Sequence, residues 1–238
     1  MNTSLVRDIR IFASDPVGQW NKIMNWREES NKFHTLEGTF MMQEYGWLAE
    51  GLRPNTTVLD LGANIGDTPI YFAIFPQVNK VYAYELLPSN YKLAIKYINK
   101  TPFLKKKITM YNKGVSPTGR PLKIKDTWAG DVGAGQMLNE SEEGVKVKMD
   151  TLKEALKGKK NVIIKCDIEG SEKYLFENVD LSNVYRIQIE WHGEDSEKGI
   201  KKVLKAQGFK VKAVEGYPGK SNLDFTEGRM VYAEKIHS

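Results

Sequence analysis

The sequence predicts an α/β fold, a doubly wound and mostly parallel β-sheet with helices on both faces. From Thr56 onward, short β-rich apolar runs alternate with segments of helical periodicity, which is the pattern of strands joined by crossover helices. The first of these strands leads into an acid and a glycine-spaced turn, Asp60 to Gly66. With 238 residues and 41% hydrophobic content, the chain is long enough to bury one ordinary core.

The N-terminal part, residues 1–50, is predicted to be a helical extension of a main domain that covers residues 51–238. Apolar residues at helical spacing predict one helix over 17–33 and another over 39–52, which ends near Gly51 and Pro54. The first 16 residues interrupt their apolar pattern with charges, so no signal-peptide core is expected. No apolar run approaches the roughly 18 residues of a membrane span. A cytoplasmic protein is therefore predicted, and the single Cys166 fits a reducing compartment.

Eight strands and five further helices follow from the apolar patterns in the main domain. The predicted strands are 56–62, 80–86, 107–115, 144–149, 161–168, 184–192, 210–217 and 229–236. The predicted helices are 67–75, 89–102, 150–158, 171–179 and 196–208, with Ser89 and Asp150 as N-caps of the second and third. The polar, glycine-rich stretch 116–144 is predicted to be a long loop, and its part from Pro117 to Gly144 is expected to cover a bound ligand.

The turn after the first strand is unlike a dinucleotide-binding turn. Such a turn has the pattern G-x-G-x-x-G, in which the middle glycine lets a pyrophosphate approach the backbone. Here the middle position is Asn64, and Asp60 and Asp67 place negative charge beside the turn. No phosphate-loop signature is present either. The pattern therefore disfavours a phosphorylated ligand.

S-adenosylmethionine fits the same residues better because it carries a sulfonium, an ammonium and a ribose diol but no phosphate. A carboxylate at the position of Asp60 can bind the ammonium, and Gly62 and Gly66 allow a sharp turn close to the ligand. Glu85, at the end of the second strand, can accept both ribose hydroxyls. The predicted cofactor-binding residues are Asp60, Gly62, Ala63, Asn64, Gly66, Asp67, Thr68, Glu85, Leu86 and Asp167.

Five blocks of the chain together resemble the FkbM-type methyltransferases. These blocks are 58–73, 81–94, 147–152, 162–172 and 187–193, and "DIEGSE", which begins at Asp167, is the most specific of them. The resemblance extends from about residue 40 to about residue 208. It implies a class I, Rossmann-like, S-adenosylmethionine-dependent O-methyltransferase that acts on hydroxyls of sugars and other small molecules. It also implies a seven-stranded sheet with an antiparallel last strand, and cofactor contacts from Gly62, Asn64, Gly66 and Glu85.

Two neighbouring strands are expected to supply the residues for the reaction. Asp167 and Glu169 end one strand, and Glu190 and His192 end the next. Because ligands bind beyond the carboxyl ends of parallel strands, these four side chains are the catalytic candidates. A neutral imidazole at pH 7 suits a general base, so His192 is the first candidate and Asp167 the second. Glu190 can orient the imidazole or bind the acceptor.

Three alternatives remain open from the sequence. Net charge +5 and lysine runs at 105–107, 157–160 and 198–202 favour a nucleic-acid methyltransferase, whereas the stretch after Cys166 lacks the aromatic motif of base N-methylation. A non-catalytic S-adenosylmethionine-binding module is the second alternative. A magnesium-positioned acceptor diol is the third, but no Asp-Asp-Asn grouping is visible, and a divalent metal is not expected. The sequence does not indicate an oligomeric state.

Overall fold

The computed structural model describes residues 37–41, 44–125, 136–137, 143–168, 170, 172–191, 196–215 and 229–236. Twelve strands are found in these ranges. They are β1 (Thr56–Leu61), β2 (Val78–Tyr84), β3 (Ile108–Tyr111), β4 (Gly114–Val115), β5 (Leu122–Lys125), β6 (Gln136–Met137), β7 (Val145–Val147), β8 (Met149–Asp150), β9 (Val162–Cys166), β10 (Val184–Glu190), β11 (Phe209–Glu215) and β12 (Arg229–Lys235). The helix predicted over 17–33 lies outside the described residues.

Seven strands form the central sheet, in the order β11-β12-β10-β9-β1-β2-β3. Strands β1, β2, β3, β9 and β10 pair in parallel. The last strand, β12, runs antiparallel to both β10 and β11. The predicted seven-stranded, mostly parallel sheet with an antiparallel last strand is therefore confirmed.

The described helices, apart from a five-residue π-helical turn at Glu37–Met41, flank this sheet. They are α1 (Gly46–Glu50), α2 (Asp67–Ala73), α3 (Pro88–Ile98), α4 (Pro102–Lys107), α5 (Leu152–Leu156), α6 (Glu172–Leu175) and α7 (Ser196–Ala206). Both predicted caps are wrong by one or two residues. Helix α3 has Leu87 as its N-cap, because Pro88 has a fixed φ suited to the first helical position. Helix α5 is capped by Thr151, which forms a capping box with Glu154.

The stretch 116–144 contains structure that the loop prediction missed. Strand β5 pairs antiparallel with β6 and β7 in a small three-stranded sheet. Its Ile124 is fully buried and packs with Leu87 and Val147. The glycine-rich residues 126–135 and 138–142 lie outside the described residues, so the expected ligand-covering role of this stretch stays a prediction.

The central sheet divides the interior into two cores, one on each face. Alternate residues of a strand point to opposite faces, so Val58 and Ile163 belong to one core and Leu59 and Ile164 to the other. The first core is completed by helices α1 to α4, and the second by α5, α6 and α7. In the part of the chain that the structure describes, no helix is long and apolar enough to cross a membrane.

Candidate functional site

The turn between β1 and α2 requires glycine at two positions. Gly62 has φ +85°, and a Cβ on it would lie 1.7 Å from the backbone oxygen of Asp167. Gly66 has φ +92°, and a Cβ there would lie 2.9 Å from the Cβ of Ala94 on α3. The backbone amides of Gly62 and Ala63 both donate to the Tyr84 oxygen, at 3.0 and 2.9 Å. Side chains are therefore excluded where this turn meets the ends of the neighbouring strands.

Asn64 and Glu85 hold the middle of the turn. Asn64 adopts φ +47°, a left-handed conformation that asparagine tolerates better than most residues. Its Oδ1 accepts a hydrogen bond from Asn90 Nδ2 at 3.1 Å. The two carboxylate oxygens of Glu85 accept from the amides of Asn64 at 2.7 Å and Leu87 at 2.8 Å. Since each carboxylate oxygen accepts two bonds, Glu85 is fixed in place and retains capacity for a ligand hydroxyl.

Four buried polar side chains form one row across the middle of the sheet. Asp60 on β1 is paired in register with Lys165 on β9, Lys165 with Gln188 on β10, and Gln188 with Tyr232 on β12. Residues in register on adjacent strands point to the same face of a sheet. Asp60, Lys165 and Gln188 are at most 2% exposed, and Tyr232 is 7% exposed. We call this set the polar row.

Lys165 is the central cation of the candidate site, and no sequence pattern predicted it. Its Nζ donates to the Gly62 oxygen at 2.5 Å. It also lies 3.5 Å from Asp60 Oδ1 and 3.7 Å from Asp167 Oδ2. One ammonium group thus connects the glycine turn, the end of β1 and the end of β9.

The charges in this cluster strongly perturb one another. Burial raises the pKa of Asp60 to about 7, although Lys165 lowers it. Burial also raises the pKa of Asp67 to about 6, opposed by a hydrogen bond from Thr39 Oγ1 at 2.6 Å. Burial raises the pKa of Glu85 to about 7, opposed by the two backbone hydrogen bonds that it accepts. Burial disfavours the charge of Lys165, but the neighbouring carboxylates, Asp60 first, raise its pKa above its ordinary value.

Several buried oxygens at this site have no hydrogen-bond partner among the described residues. They are both carboxylate oxygens of Asp60, one each of Asp67 and Asp167, the amide oxygen of Gln188 and the Tyr232 hydroxyl. Buried polar atoms are paired in the great majority of cases. This concentration on one face of the sheet therefore identifies a place where a ligand with several donors is expected.

The predicted reaction edge is described in part. Asp167 directly follows Cys166, the last residue of β9, and Glu190 directly follows Ile189 on β10. Cys166 and Ile189 are paired in register. The two acids thus lie at the same level on neighbouring strands, as expected. Glu169 and His192 lie outside the described residues, so their catalytic roles stay predictions.

Glu44, a half-buried acid that no sequence pattern predicted, lies close to this edge. Its backbone oxygen accepts from Gln188 Nε2 at 2.9 Å. Burial and the neighbouring Glu190 raise its pKa to about 8, with smaller contributions from Asp167 and Asp67. Glu44 precedes α1 in the stretch 37–50, whose described residues pack against this face of the sheet and which we call the covering segment.

The remaining predicted cofactor residues lie around the same turn. Thr68 is buried in the first turn of α2, and Leu86 packs beside Leu87. Ala63 is fully buried. Within the described ranges, no group of three or more histidine, cysteine, aspartate or glutamate residues is arranged to hold a metal ion.

Comparison with known proteins gives the fold. No protein-family model and no curated protein matches the chain. One similar solved structure is Streptococcus pneumoniae Sp1610 in complex with S-adenosyl-L-methionine, described as a tRNA (m1A22) methyltransferase, with 16% identity, a TM-score of 0.50, and coverage of 82% of this chain and 74% of that one. Another is the methyltransferase domain of the bacterial CtHen1-CN, with 13% identity, a TM-score of 0.50, and coverage of 84% of this chain and all of that one. The chain therefore has the Rossmann-like methyltransferase fold.

Proposed function

We propose that this protein is an S-adenosylmethionine-dependent methyltransferase of the FkbM type that methylates a hydroxyl on a sugar or another small molecule. The observation that carries the proposal is Asp60, a fully buried carboxylate beside the Gly62 turn with neither oxygen hydrogen-bonded among the described residues. The methyltransferase fold supports a methyl donor as the ligand of this turn. The FkbM-like blocks support the hydroxyl acceptor.

The site has the chemistry that this donor needs. Asp60, Asp67 and Glu85 surround the turn with buried carboxylates, which would repel a pyrophosphate but attract a sulfonium and an ammonium. Gly62 and Gly66 remove the side chains that would obstruct the backbone on that side. Bound here, S-adenosylmethionine would supply a methyl group on a positively charged sulfur.

Each residue around the turn then has a defined task. Asp60 accepts from the ammonium of the donor, and Lys165 keeps the Gly62 carbonyl and Asp60 in fixed positions. Glu85, fixed by two backbone amides, accepts the ribose hydroxyls. Asn64, whose backbone amide donates to Glu85, lies in the turn between Asp60 and Glu85.

The acceptor is expected at the reaction edge, where Asp167 and Glu190 leave neighbouring strands. In an in-line displacement the acceptor oxygen forms a bond to the methyl carbon while the sulfur–methyl bond breaks, and the sulfur keeps the electron pair. The hydroxyl proton passes to a base, for which His192 and Asp167 are the candidates. Glu190 and Glu169 orient the base or the acceptor. Holding the two reactants in line supplies a large part of the rate.

Titration calorimetry with S-adenosylhomocysteine tests the donor site. We expect the wild-type protein to bind it, and Asp60→Asn and Glu85→Gln each to weaken binding at least tenfold, because each change removes a charged acceptor. Glu177→Gln, at an exposed residue on the opposite side of the sheet, is the matched control and should bind like the wild type. A folded wild-type protein that gives no binding would refute the proposal.

RNA is the competing acceptor, as in the tRNA methyltransferase described for Sp1610. The overall charge of +5 favours it, but the candidate site itself is rich in carboxylates, which repel a phosphate backbone. Lys107 of the first lysine run is already engaged, since its Nζ donates to the Ala73 and Phe75 oxygens. An RNA affinity that falls steeply with salt, together with methyl transfer to RNA, would favour RNA over a small hydroxyl acceptor.

A further inference from the structure

Glu172 is a buried acid close to the candidate site, and the proposed donor contacts do not explain it. It is the first residue of α6, and its side chain is fully buried. Its Oε1 accepts from the backbone amides of Ile168 at 3.2 Å and Gly170 at 3.1 Å. Its Oε2 accepts from the Gly170 amide at 3.0 Å. One carboxyl group therefore holds two backbone positions just beyond β9.

The direction of these bonds distinguishes Glu172 from an ordinary acid at the start of a helix. Such an acid is favoured by the free amides of its own helix. The amides that donate to Glu172 belong instead to Ile168 and Gly170, which precede α6. Glu172 thus joins the helix to the end of the preceding strand. We call Asp167, Ile168 and Gly170 the strand-end loop.

Gly170 has the backbone conformation that this contact requires. Its φ is +114°, which favours glycine, yet a Cβ on it would meet nothing within 4 Å. Glycine is therefore needed here for the direction of the backbone and not for close packing. In that conformation, the Gly170 amide donates to both oxygens of Glu172.

The strand-end loop contains Asp167, which belongs to the candidate site. The Asp167 amide donates to the Leu61 oxygen at 2.9 Å, and its Oδ2 lies 3.7 Å from Lys165 Nζ. Its carbonyl oxygen lies against Gly62, where a Cβ would come within 1.7 Å. Asp167 thus contacts β1 and the glycine turn, while Glu172 holds the residues that follow it. A movement of the loop would therefore displace Asp167 from the turn.

We propose that Glu172 is a positioning residue, which fixes the strand-end loop and thereby holds Asp167 in place for the methyl donor and the acceptor. This inference rests on the proposed methyltransferase function and adds a residue that acts in it through Asp167. Asp167 Oδ1 is buried and has no hydrogen-bond partner among the described residues. The position of this carboxylate therefore depends on the backbone that Glu172 holds.

Cys166 reports the opening of the loop, because it directly precedes Asp167, is the single cysteine of the chain and is 1% exposed. Its labelling by dithiobis-nitrobenzoate is measured at urea concentrations below the unfolding transition, where a rate independent of urea reports local opening. We expect Glu172→Met, which removes both acceptor oxygens, to raise that rate about tenfold. Glu172→Gln keeps one acceptor oxygen and should have a smaller effect. Glu177→Gln, at an exposed residue, should have none.

Calorimetry with S-adenosylhomocysteine tests whether Glu172 acts through Asp167. Glu172→Met and Asp167→Ala should each weaken binding about tenfold, and the double variant should bind within about threefold of Asp167→Ala, because both changes affect the same contact. A purely structural loss would instead add to the effect of Asp167→Ala. Glu172→Gln should recover part of the affinity that Glu172→Met loses.

A second pair of variants covers the case in which Glu172→Met does not fold. Gly170→Ala should speed Cys166 labelling and weaken binding, whereas Gly208→Ala should do neither, although Gly208 also has a positive φ, +81°, and open space at its Cβ position. Unchanged labelling in the Glu172 and Gly170 variants, or additive losses in the double variant, would overturn the inference while wild-type binding leaves the donor site intact. No binding by the folded wild type would refute the proposed function and this role with it.

Discussion

Gly62 shows how a single backbone position controls the candidate site. Its positive φ alone would disfavour a side chain, and a Cβ would also overlap the Asp167 carbonyl oxygen. The same residue offers its own carbonyl to Lys165. A change at this position is therefore expected to move the turn and the end of β9 together.

We predict that Gly62→Ala reduces S-adenosylhomocysteine affinity more than 100-fold, because the turn must shift to relieve the overlap. The matched control is Gly158→Ala, since Gly158 also has a positive φ, +72°, but has open space around its Cβ position. That control should cost only about 1–2 kcal/mol of stability and leave binding unchanged. Calorimetry and urea unfolding measure both quantities. Equal binding by the two variants would show that the close approach at Gly62 is unimportant.

Lys165 is predicted to stabilise the fold as well as the site. At pH 8, where Asp60 with a pKa of about 7 is ionised in the wild type, Lys165→Met leaves this buried carboxylate without its nearest cation and should lower the free energy of unfolding by about 3–5 kcal/mol. Adding Asp60→Asn to that variant should recover part of the loss, since the uncompensated charge is then absent. Lys160→Met is the control, because Lys160 is exposed and precedes the start of β9, at the end of the strand away from the candidate site. A loss from Lys165→Met no larger than that of the control, measured by urea unfolding, would contradict this role.

The sequence predicted Asp60, Asp67, Glu85 and the two glycines of the candidate site because their spacing follows a recognisable strand-turn pattern, but it did not predict Glu44. It did not predict Lys165 or Gln188. A single polar residue in an apolar strand looks the same whether it faces solvent or a buried ligand. Only the register of three strands places Lys165 beside Asp60 and Gln188 beside Lys165. The available signal was a lysine inside an otherwise apolar strand directly before "CDIEG".

At the scale of elements, the segment from Glu37 to Glu50 belongs to the site. Thr39 donates to Asp67 on α2, and the Glu44 and Trp47 oxygens accept from Gln188 and Arg186 on β10. Residues 1–50 were predicted to be an N-terminal helical extension or cap, and helical periodicity alone does not show which surface a helix covers. In the described part, the segment packs against the sheet as part of the first core.

We predict that Thr39→Val weakens both stability and donor binding, because Asp67 then loses the hydrogen bond that Thr39 Oγ1 donates to it. Hydrogen bonds to charged groups contribute about 1.5–3 kcal/mol, and the loss should raise the pKa of Asp67 further. Thr118→Val, at an exposed threonine, is the control. Urea unfolding and S-adenosylhomocysteine calorimetry give the two readouts. If the Thr39 and Thr118 variants behave alike, the segment does not fix Asp67.

The short elements were harder to predict than the long ones. The central strands and α7 follow clear apolar patterns, and their positions are confirmed. Helix α4 was missed because its six residues contain three consecutive lysines, and Thr101 and Pro102 start it without a longer periodic pattern. Strand β5 was missed because its burial depends on Leu87 and Val147, which are distant in sequence.

At the scale of the whole molecule, the net charge of the chain is positive, whereas the candidate site is rich in carboxyl groups. The chain carries +5 overall, yet Glu44, Asp60, Asp67 and Glu85 come together around the single ammonium of Lys165. The sheet order produces this concentration, since β1, β9 and β10 are adjacent although far apart in sequence. Folding therefore forces acids together before any ligand compensates them, and the stability of the free protein should depend on pH.

The direction of that dependence follows from the raised pKa values. Burial raises the pKa of Asp60 to about 7, that of Glu85 to about 7 and that of Asp67 to about 6. The folded protein thus holds protons that the unfolded chain has released above about pH 4. The stability that these three groups contribute is fully present below that pH and is lost as the pH rises through about 6 to 7, because the folded state must then accept buried charge. The ligand-free melting temperature should fall between pH 5 and pH 8.

Asp60→Asn isolates one of these acids. When the folded state binds one proton more than the unfolded state, the free energy of unfolding changes by about 1.4 kcal/mol per pH unit. For a chain of this size, that change shifts the melting temperature by about 3–5 °C. The variant cannot acquire the buried charge, so its melting temperature should rise relative to the wild type as the pH increases from 5 to 8.

The affinity of the wild-type protein for S-adenosylmethionine should increase over the same pH range, although its stability falls. The reason is that the ionised Asp60 attracts the ammonium of the donor. Parallel melting curves for the two proteins across this range would mean that Asp60 is already ionised in the free protein, and the cationic ligand would then gain nothing from higher pH.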